Sequence, residues 1–257
     1  AAAEPPLIRV RGLRAAYGDV TVLQDIDFEV RRREIFVILG GSGCGKSTLL
    51  RHLIGLVEPA AGTIEIDGED LAAARGPDRE RVLRKFGVMF QSGALFSSMT
   101  LAGNVALPLE ELTGLPPAAV RSVAERKLGL VGLRGYERHA PGEISGGMRK
   151  RAGVARALAL DPPILFLDEP SAGLDPISAA DLDRLILDLR DALGATIVIV
   201  THELASIYAV ADRCIMLDKA RRTIVAEGRP ADLRDASTDP FVRAFFRREA
   251  TVPEDRP

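Results

Sequence analysis

Cysteine occurs only twice in the 257-residue chain, at Cys44 and Cys214. That is too few for a disulfide framework and fits a reducing cytosol. No apolar run reaches the roughly 18–20 residues that a membrane-spanning helix needs, and the first residues lack the basic, apolar, small-residue succession of a secretory leader. Any membrane role is therefore expected to come through partners. Charge of one sign is also missing: 34 Lys and Arg stand against 36 Asp and Glu, for a net charge of −2. No global basic field gathers nucleic acid or an anionic membrane, so nucleic acid is not an expected partner. The clusters Arg31-Arg32-Arg33 and Arg149-Lys150-Arg151 are short enough to read as solvated faces. Internal repeats and low-complexity tracts are absent too. What remains is a chain with 47% hydrophobic residues, able to bury a substantial core in one large or two modest domains.

Against this background one stretch stands out, Gly40-Gly41-Ser42-Gly43-Cys44-Gly45-Lys46-Ser47-Thr48. A glycine, four residues, then Gly45-Lys46-Ser47 is the spacing of a phosphate-cradling P-loop. Its backbone N–H groups wrap a nucleoside triphosphate, Lys46 supplies counter-charge and Ser47 offers a hydroxyl to Mg²⁺. The run Ile35-Phe36-Val37-Ile38-Leu39 reads as a parallel strand buried on both faces and feeds the loop directly. Leu49, Leu50, Leu53 and Ile54 recur at helical spacing before Gly55, so the triphosphate would sit at a helix N-terminus. Cys44 is a small loop residue in this reading.

From Leu7 to Leu39 the chain reads as short strands with turn signals at Tyr17-Gly18-Asp19 and at Gln24-Asp25-Ile26-Asp27. Residues 62–68 alternate with period two, which completes an antiparallel patch over about 7–34 and 62–68. A helical insertion is expected over about 92–160, with helices near Ala118–Val131 and Gly146–Leu160. The apolar strands Ile164–Leu167, Thr196–Val200 and Cys214–Leu217 then alternate with helical stretches Ala179–Leu193 and Leu204–Ala211. This order predicts an α/β fold of the P-loop NTPase kind, RecA-like, with a mostly parallel sheet and helices on both faces. A single domain is expected over 1–250, with a frayed tail over 251–257.

Asp168 and Glu169 stand at the end of a buried strand, where one carboxylate suits a Mg²⁺ shell and the other an attacking water. Ser145-Gly146-Gly147 opens a helix, with Ser145 as N-cap and two glycines that let phosphate approach the backbone. One nucleotide site hardly needs two helix N-termini from distant parts of one chain.

Gly40 to Ser47, Gln91, Ser145-Gly146-Gly147, Leu167-Asp168-Glu169-Pro170, Ser171-Ala172-Gly173-Leu174-Asp175 and Thr201-His202-Glu203 follow one another as in ATP-binding cassette (ABC) ATPases, which the chain resembles over nearly its whole length. The resemblance implies ATP and Mg²⁺ as ligands and a head-to-tail homodimer. Each ATP would lie between the P-loop of one copy and the Ser145-Gly146-Gly147 helix of the other, which accounts for the two helix N-termini. It further implies that Tyr17 stacks on adenine, that Lys46 and Ser47 hold phosphates and Mg²⁺, and that Gln91 senses metal and water. Glu169 becomes the general base and His202 the γ-phosphate switch.

Phe90-Gln91-Ser92-Gly93-Ala94-Leu95-Phe96, Asn104-Val105-Ala106-Leu107-Pro108-Leu109, Val131-Gly132-Leu133-Arg134-Gly135 and Met148 carry a narrower resemblance, to the ATPase subunits of Mla-type (Mkl group) phospholipid transporters. Most ABC ATPases have glutamine in place of Met148; this subgroup does not. Gly41 stands where many cassettes have proline, and Lys219-Ala220-Arg221-Arg222 replaces a tighter turn. The narrower resemblance implies phospholipid transfer between bacterial membranes and a place on the cytoplasmic face of the inner membrane, peripheral through a permease. It also implies an MCE-type lipid-binding subunit and a STAS-type accessory subunit. A cassette serving another cargo, such as an amino acid or solvent, and a soluble cassette acting on DNA or ribosomes are the alternatives. Phe241, Phe245 and Phe246 form one side of a short helical pattern that packs on its own domain or on another subunit.

Overall fold

The computed structural model describes residues 4–249; the tail over 251–257 lies outside the described residues. Two long strands come first, β1 (Ile8–Tyr17) and β2 (Val20–Val30), paired antiparallel across the turn at Gly18-Asp19. The expected turn at Gln24–Asp27 is not one. It is an irregularity inside β2, where Asp25 takes φ 52° and the Gln24 N–H leaves the ladder to donate to Arg222 O at 2.9 Å. A distant loop thus supplies the hydrogen bond that a local turn would have supplied.

Next come β3 (Ile35–Gly40) and α1 (Lys46–Leu53), followed by β4 (Ala61–Ile66), the short β5 (Glu69–Asp70), α2 (Gly76–Leu83) and β6 (Phe86–Met89). Three helices then succeed one another, α3 (Leu101–Leu112), α4 (Pro117–Leu130) and α5 (Gly146–Ala157). The last third runs β7 (Ile164–Asp168), α6 (Pro176–Leu193), β8 (Thr196–Val200), α7 (Leu204–Val210), β9 (Arg213–Asp218), β10 (Thr223–Gly228), α8 (Pro230–Ala236) and α9 (Pro240–Arg247). Neither α2 nor α3 is among the expected helices. Only Val82 of α2 is buried, so no apolar stripe marks it, and Pro108 inside α3 reads as a break.

Two sheets result among the described residues: an antiparallel one ordered β2-β1-β4-β5, and a six-stranded one ordered β10-β9-β3-β8-β7-β6. In the second, β9, β3, β8, β7 and β6 are parallel and β10 is antiparallel at the edge.

The continuous apolar runs of the parallel strands are explained by the cores on their two faces. Phe36, Ile38, Phe166, Val198 and Val200 point toward β1, β2, β4 and α1, while Ile35, Val37, Leu167, Ile197 and Ile199 point toward α3–α7. Phe28 of β2 stacks on Phe36 of β3 at 5.5 Å between ring centroids, which helps join the two sheets. In α9, Val242 and Phe246 are buried while Phe241 and Phe245 pack partly against the same core, so the aromatic side of that helix lies on its own chain.

Candidate active site

The carboxyl ends of β3, β7 and β8 are tied together, by Glu169 N–H to Val200 O at 2.8 Å and by Thr201 N–H to Ile38 O at 3.2 Å. Open α/β sheets bind ligands at this edge. Gly40 ends β3 at φ 148°; a Cβ there would lie 2.5 Å from Leu217 O and 2.6 Å from Cys44 Sγ, so only glycine lets the loop leave the sheet beside β9. Gly45, at φ 102°, is the N-cap of α1 and lies against Leu23. Between them Gly41, Ser42 and Gly43 are exposed and Cys44 is buried; burial pushes its thiol up, against the pull of Lys46. Lys46 is buried and donates from Nζ to Gly40 O at 2.8 Å and Gly41 O at 3.2 Å. The ammonium therefore braces the curve of the loop from inside. Ser47 and Thr48 continue the first turn of α1, Ser47 with its side chain exposed.

Across the edge, Glu169 is buried and every polar group it has is held. Its Oε1 accepts from His202 Nδ1 at 2.8 Å, its Oε2 from Thr201 Oγ1 at 3.1 Å, and its carbonyl from Lys150 Nζ at 3.0 Å. Its backbone sits at φ 46°, in the left-handed region that side chains other than glycine rarely adopt. Such strain persists where surrounding bonds over-determine it. Asp168, next to it, is different: among the described residues its buried Oδ1 has no hydrogen-bond partner. Burial pushes the Asp168 carboxyl up and neighbouring Glu169 adds to the rise, with Lys150, Arg51 and Lys46 opposing it. A buried, unpaired carboxylate oxygen is the donor a small hard cation takes, and an exposed hydroxyl such as Ser47 suits the same ion.

Gln91 follows β6 and is exposed, with its carbonyl accepting from Lys150 Nζ. Lys150 is itself only 6% exposed, so the reading of Arg149-Lys150-Arg151 as a solvated face fails at its central residue. Burial pulls the Lys150 ammonium down, against Asp168 and Glu169. Its signal was the spacing with Gly153, Val154 and Ala157, positions i, i+3, i+4 and i+7 of one helix face, all buried. Thr201 likewise belongs to the site by contact.

Two expected site elements come from other parts of the chain, β1 and the start of α5. Tyr17 ends β1 and is 45% exposed, and among the described residues its hydroxyl makes no hydrogen bond. Ser145 caps α5, accepting from Met148 N–H at 3.2 Å, with Gly146 and Gly147 half-buried behind it. Among the described residues no hydrogen bond joins Ser145, Gly146 or Gly147 to the P-loop.

The chain matches the family described as ABC transporter over residues 23–172. It is 45% identical over 239 residues to a Mycobacterium leprae protein named "Probable ribonucleotide transport ATP-binding protein mkl", covering 93% of this chain and 68% of the relative. It is 41% identical over 240 residues to the Escherichia coli "Intermembrane phospholipid transport system ATP-binding protein MlaF", covering 93% of this chain and 88% of that one. Among solved structures it is similar to the ATP-binding cassette MJ0796, a dimer in a post-hydrolysis state bound to ADP and Pi. The TM-score is 0.78 at 27% identity, covering 86% of this chain and 98% of that one. With a P-loop, an acidic strand end and a histidine joined at one sheet edge, and with these matches, the chain belongs to the ABC transporter family of ATP-hydrolysing, ATP-binding cassettes.

Proposed function

We propose that two copies of this chain close around two ATP molecules, hydrolyse them by in-line attack of water, and so drive phospholipid transfer through a membrane permease. The observation that carries the catalytic part is the pairing of Glu169 Oε1 with His202 Nδ1 at 2.8 Å, at the sheet edge where the P-loop begins. Glu169 acts as general base on the water, held in aim by Thr201, and His202 turns toward the γ-phosphate when nucleotide arrives. Lys46 leaves the carbonyls of Gly40 and Gly41 for the phosphates, and the amides of Gly41, Ser42, Gly43, Cys44, Gly45, Ser47 and Thr48 complete the cradle. Tyr17 stacks on adenine, its exposed ring free to do so. Ser47, Asp168 and Gln91 would hold Mg²⁺, which when bound neutralises charge on the β- and γ-phosphates.

The second wall of each site comes from the other copy, whose Ser145-Gly146-Gly147 helix start presents free amides to the γ-phosphate. The support is that no hydrogen bond joins Ser145 to the P-loop among the described residues, together with the dimeric state of the similar cassette. A groove of about 300 Å³ between α2, β6, α3 and α5, lined by Leu83, Phe86, Pro108, Leu112 and Leu160 among others, suits a cytoplasmic helix of the permease. No described helix is long and apolar enough to cross a membrane. We place the chain at the cytoplasmic face of a bacterial inner membrane, with MCE-type and STAS-type subunits completing the complex.

Phospholipid is favoured as cargo by the similarity to MlaF over most of both chains. The second reading is a ribonucleotide, because the Mycobacterium leprae relative is named for that transport. Co-expression with the products of neighbouring genes, followed by mass spectrometry of co-purified polypeptides and bound small molecules, decides between them. A permease that retains phospholipid is the expected result; a permease that retains nucleotides, or no permease, overturns the cargo assignment. For the site, Glu169→Gln with ATP and Mg²⁺ is expected to elute as a dimer retaining two ATP, and a monomer that binds ATP equally well sinks the composite site.

A further inference from the structure

We propose that Lys150 is a positioning residue for hydrolysis: its buried ammonium ties the peptide carbonyls of Gln91 and Glu169 to one point and keeps the two residues in register. The inference rests on the reading of Glu169 as general base. A lysine nearly removed from water normally pairs with a carboxylate, yet among the described residues Lys150 makes no salt bridge. Its acceptors among the described residues are both main-chain carbonyls, 59 and 19 residues away in sequence. Those carbonyls belong to the two residues that the site reading gives to the attacking water.

The Glu169 side carries strain. At φ 46° the peptide is held by its N–H on Val200 O and by the ammonium on its own carbonyl. Without Lys150 the peptide is free to relax toward an ordinary conformation, and the carboxylate would swing with it. The Gln91 side is bolted to the same helix: Arg156 of α5 donates to Gly93 O at 3.0 Å and Ala94 O at 2.6 Å, and a Cβ on Gly153 would come within 3.1 Å of Gly93 Cα. Helix α5 therefore carries the Gln91 turn as a rigid attachment, and Lys150 is where that attachment grips the base. Its contribution to rate lies in geometry, since misplacing a reacting group by about 1 Å can cost on the order of a hundredfold.

The test is steady-state ATP hydrolysis and nucleotide binding by the full chain carrying Lys150→Met, in wild-type and Glu169→Gln backgrounds, with Lys150→Arg as the conservative control. Lys150→Met is expected to lower kcat at least about tenfold, with the dissociation constant for ATP within about twofold, and Lys150→Arg to recover most of the loss. In the Glu169→Gln background the same change should lower the residual rate by less than about twofold, because residues acting as a unit are not additive. A wild-type kcat, a loss confined to ATP affinity, or an equal loss in both backgrounds overturns the proposal. If Lys150→Met does not fold, Lys150→Leu, which likewise removes the donor, is read by the same criteria. Undiminished turnover in Glu169→Gln alone would instead remove the base assignment; a tenfold loss in Lys150→Met then still supports its grip on the Gln91 turn, and a wild-type rate overturns it.

Discussion

Asp168 offers a sharp separation of stability from function, through the single change Asp168→Asn. The side chain keeps its shape and loses its charge, at a position where Oδ1 is buried and has no partner. The asparagine amide is still a buried polar group, so the change recovers only the extra cost of burying a charge in place of a neutral group, roughly 1–3 kcal/mol. Lys150, Arg51 and Lys46 already attract the carboxylate, which holds the recoverable part to the low end, about 1 kcal/mol. In a domain of this size that is a rise in Tm of roughly 2–4 °C for the nucleotide-free protein. The ligand side runs the other way. At about a hundred times its dissociation constant a ligand adds about 2.7 kcal/mol to native stability. Wild type is expected to show this shift in full with ATP and Mg²⁺, whereas Asp168→Asn keeps only the part seen with ATP and EDTA.

Thermal melts under these conditions, repeated across pH, supply the check. Burial raises the Asp168 pKa above its ordinary 3.8, so between that value and the raised one the native state holds more protons than the unfolded state. Stability attributable to this group therefore falls as pH rises through the window, and the variant should lack that slope. If Asp168→Asn without nucleotide melts below wild type, or if its Mg²⁺-specific shift survives, the carboxylate is not an unpaired metal ligand.

The parts of the site legible in the sequence are those whose chemistry is contiguous. The P-loop, Asp168-Glu169 and Thr201-His202 each follow a strand that is apolar on both faces, and such strands announce themselves without any partner. The alternation within β3, with Phe36 and Ile38 on one core and Ile35 and Val37 on the other, required the fold before it acquired meaning. The burial of Lys150 is marked in the sequence only by its helical spacing with Gly153, Val154 and Ala157, against arginines on either side, while its role lies in two acceptors far away in sequence. Helix α3 was hidden by Pro108, although Thr100, whose Oγ1 accepts from Gly103 N–H at 3.1 Å, carried an N-cap signal. The turn assigned to Gln24–Asp27 failed for the opposite reason: polar residues of turn-forming type were used in a strand irregularity bonded to Arg222 and Thr223.

Helix α5 starts at the exposed cap Ser145, passes Lys150 under Glu169, and lies so close to β6 that a Cβ on Gly87 would stand 1.9 Å from Ala157 O. A shift of its N-terminus has to be shared with Gln91 and Glu169, because the packed small residues between helix and strand leave no slack.

Two further changes probe the surroundings of the site. Asn104 is fully buried, accepts from Phe96 N–H at 2.7 Å and donates to Phe96 O at 3.1 Å and Thr100 O at 3.0 Å. Asn104→Ala should cost about 2–4 kcal/mol in urea unfolding, and a loss below about 1 kcal/mol would mean the loop over 96–100 holds itself. The second concerns acid. Arg81 first, then Lys85, hold the Glu69 carboxylate down to about 2 from its ordinary 4.5, and Lys85 with Arg32 lowers Asp67. A carboxylate with a depressed folded pKa adds stability that is complete above the unfolded value and disappears as pH falls through the folded one, so this cluster's contribution should fade between about pH 4.5 and 2. Both partners lie near the surface, where salt screens them, so the urea midpoint should lose part of its acid dependence in high salt. Lys85 touches both carboxylates, at 2.7 Å and 3.0 Å, and Lys85→Met should therefore flatten the same limb without added salt. An unchanged acid limb in that variant would show that the acid sensitivity of the fold arises elsewhere.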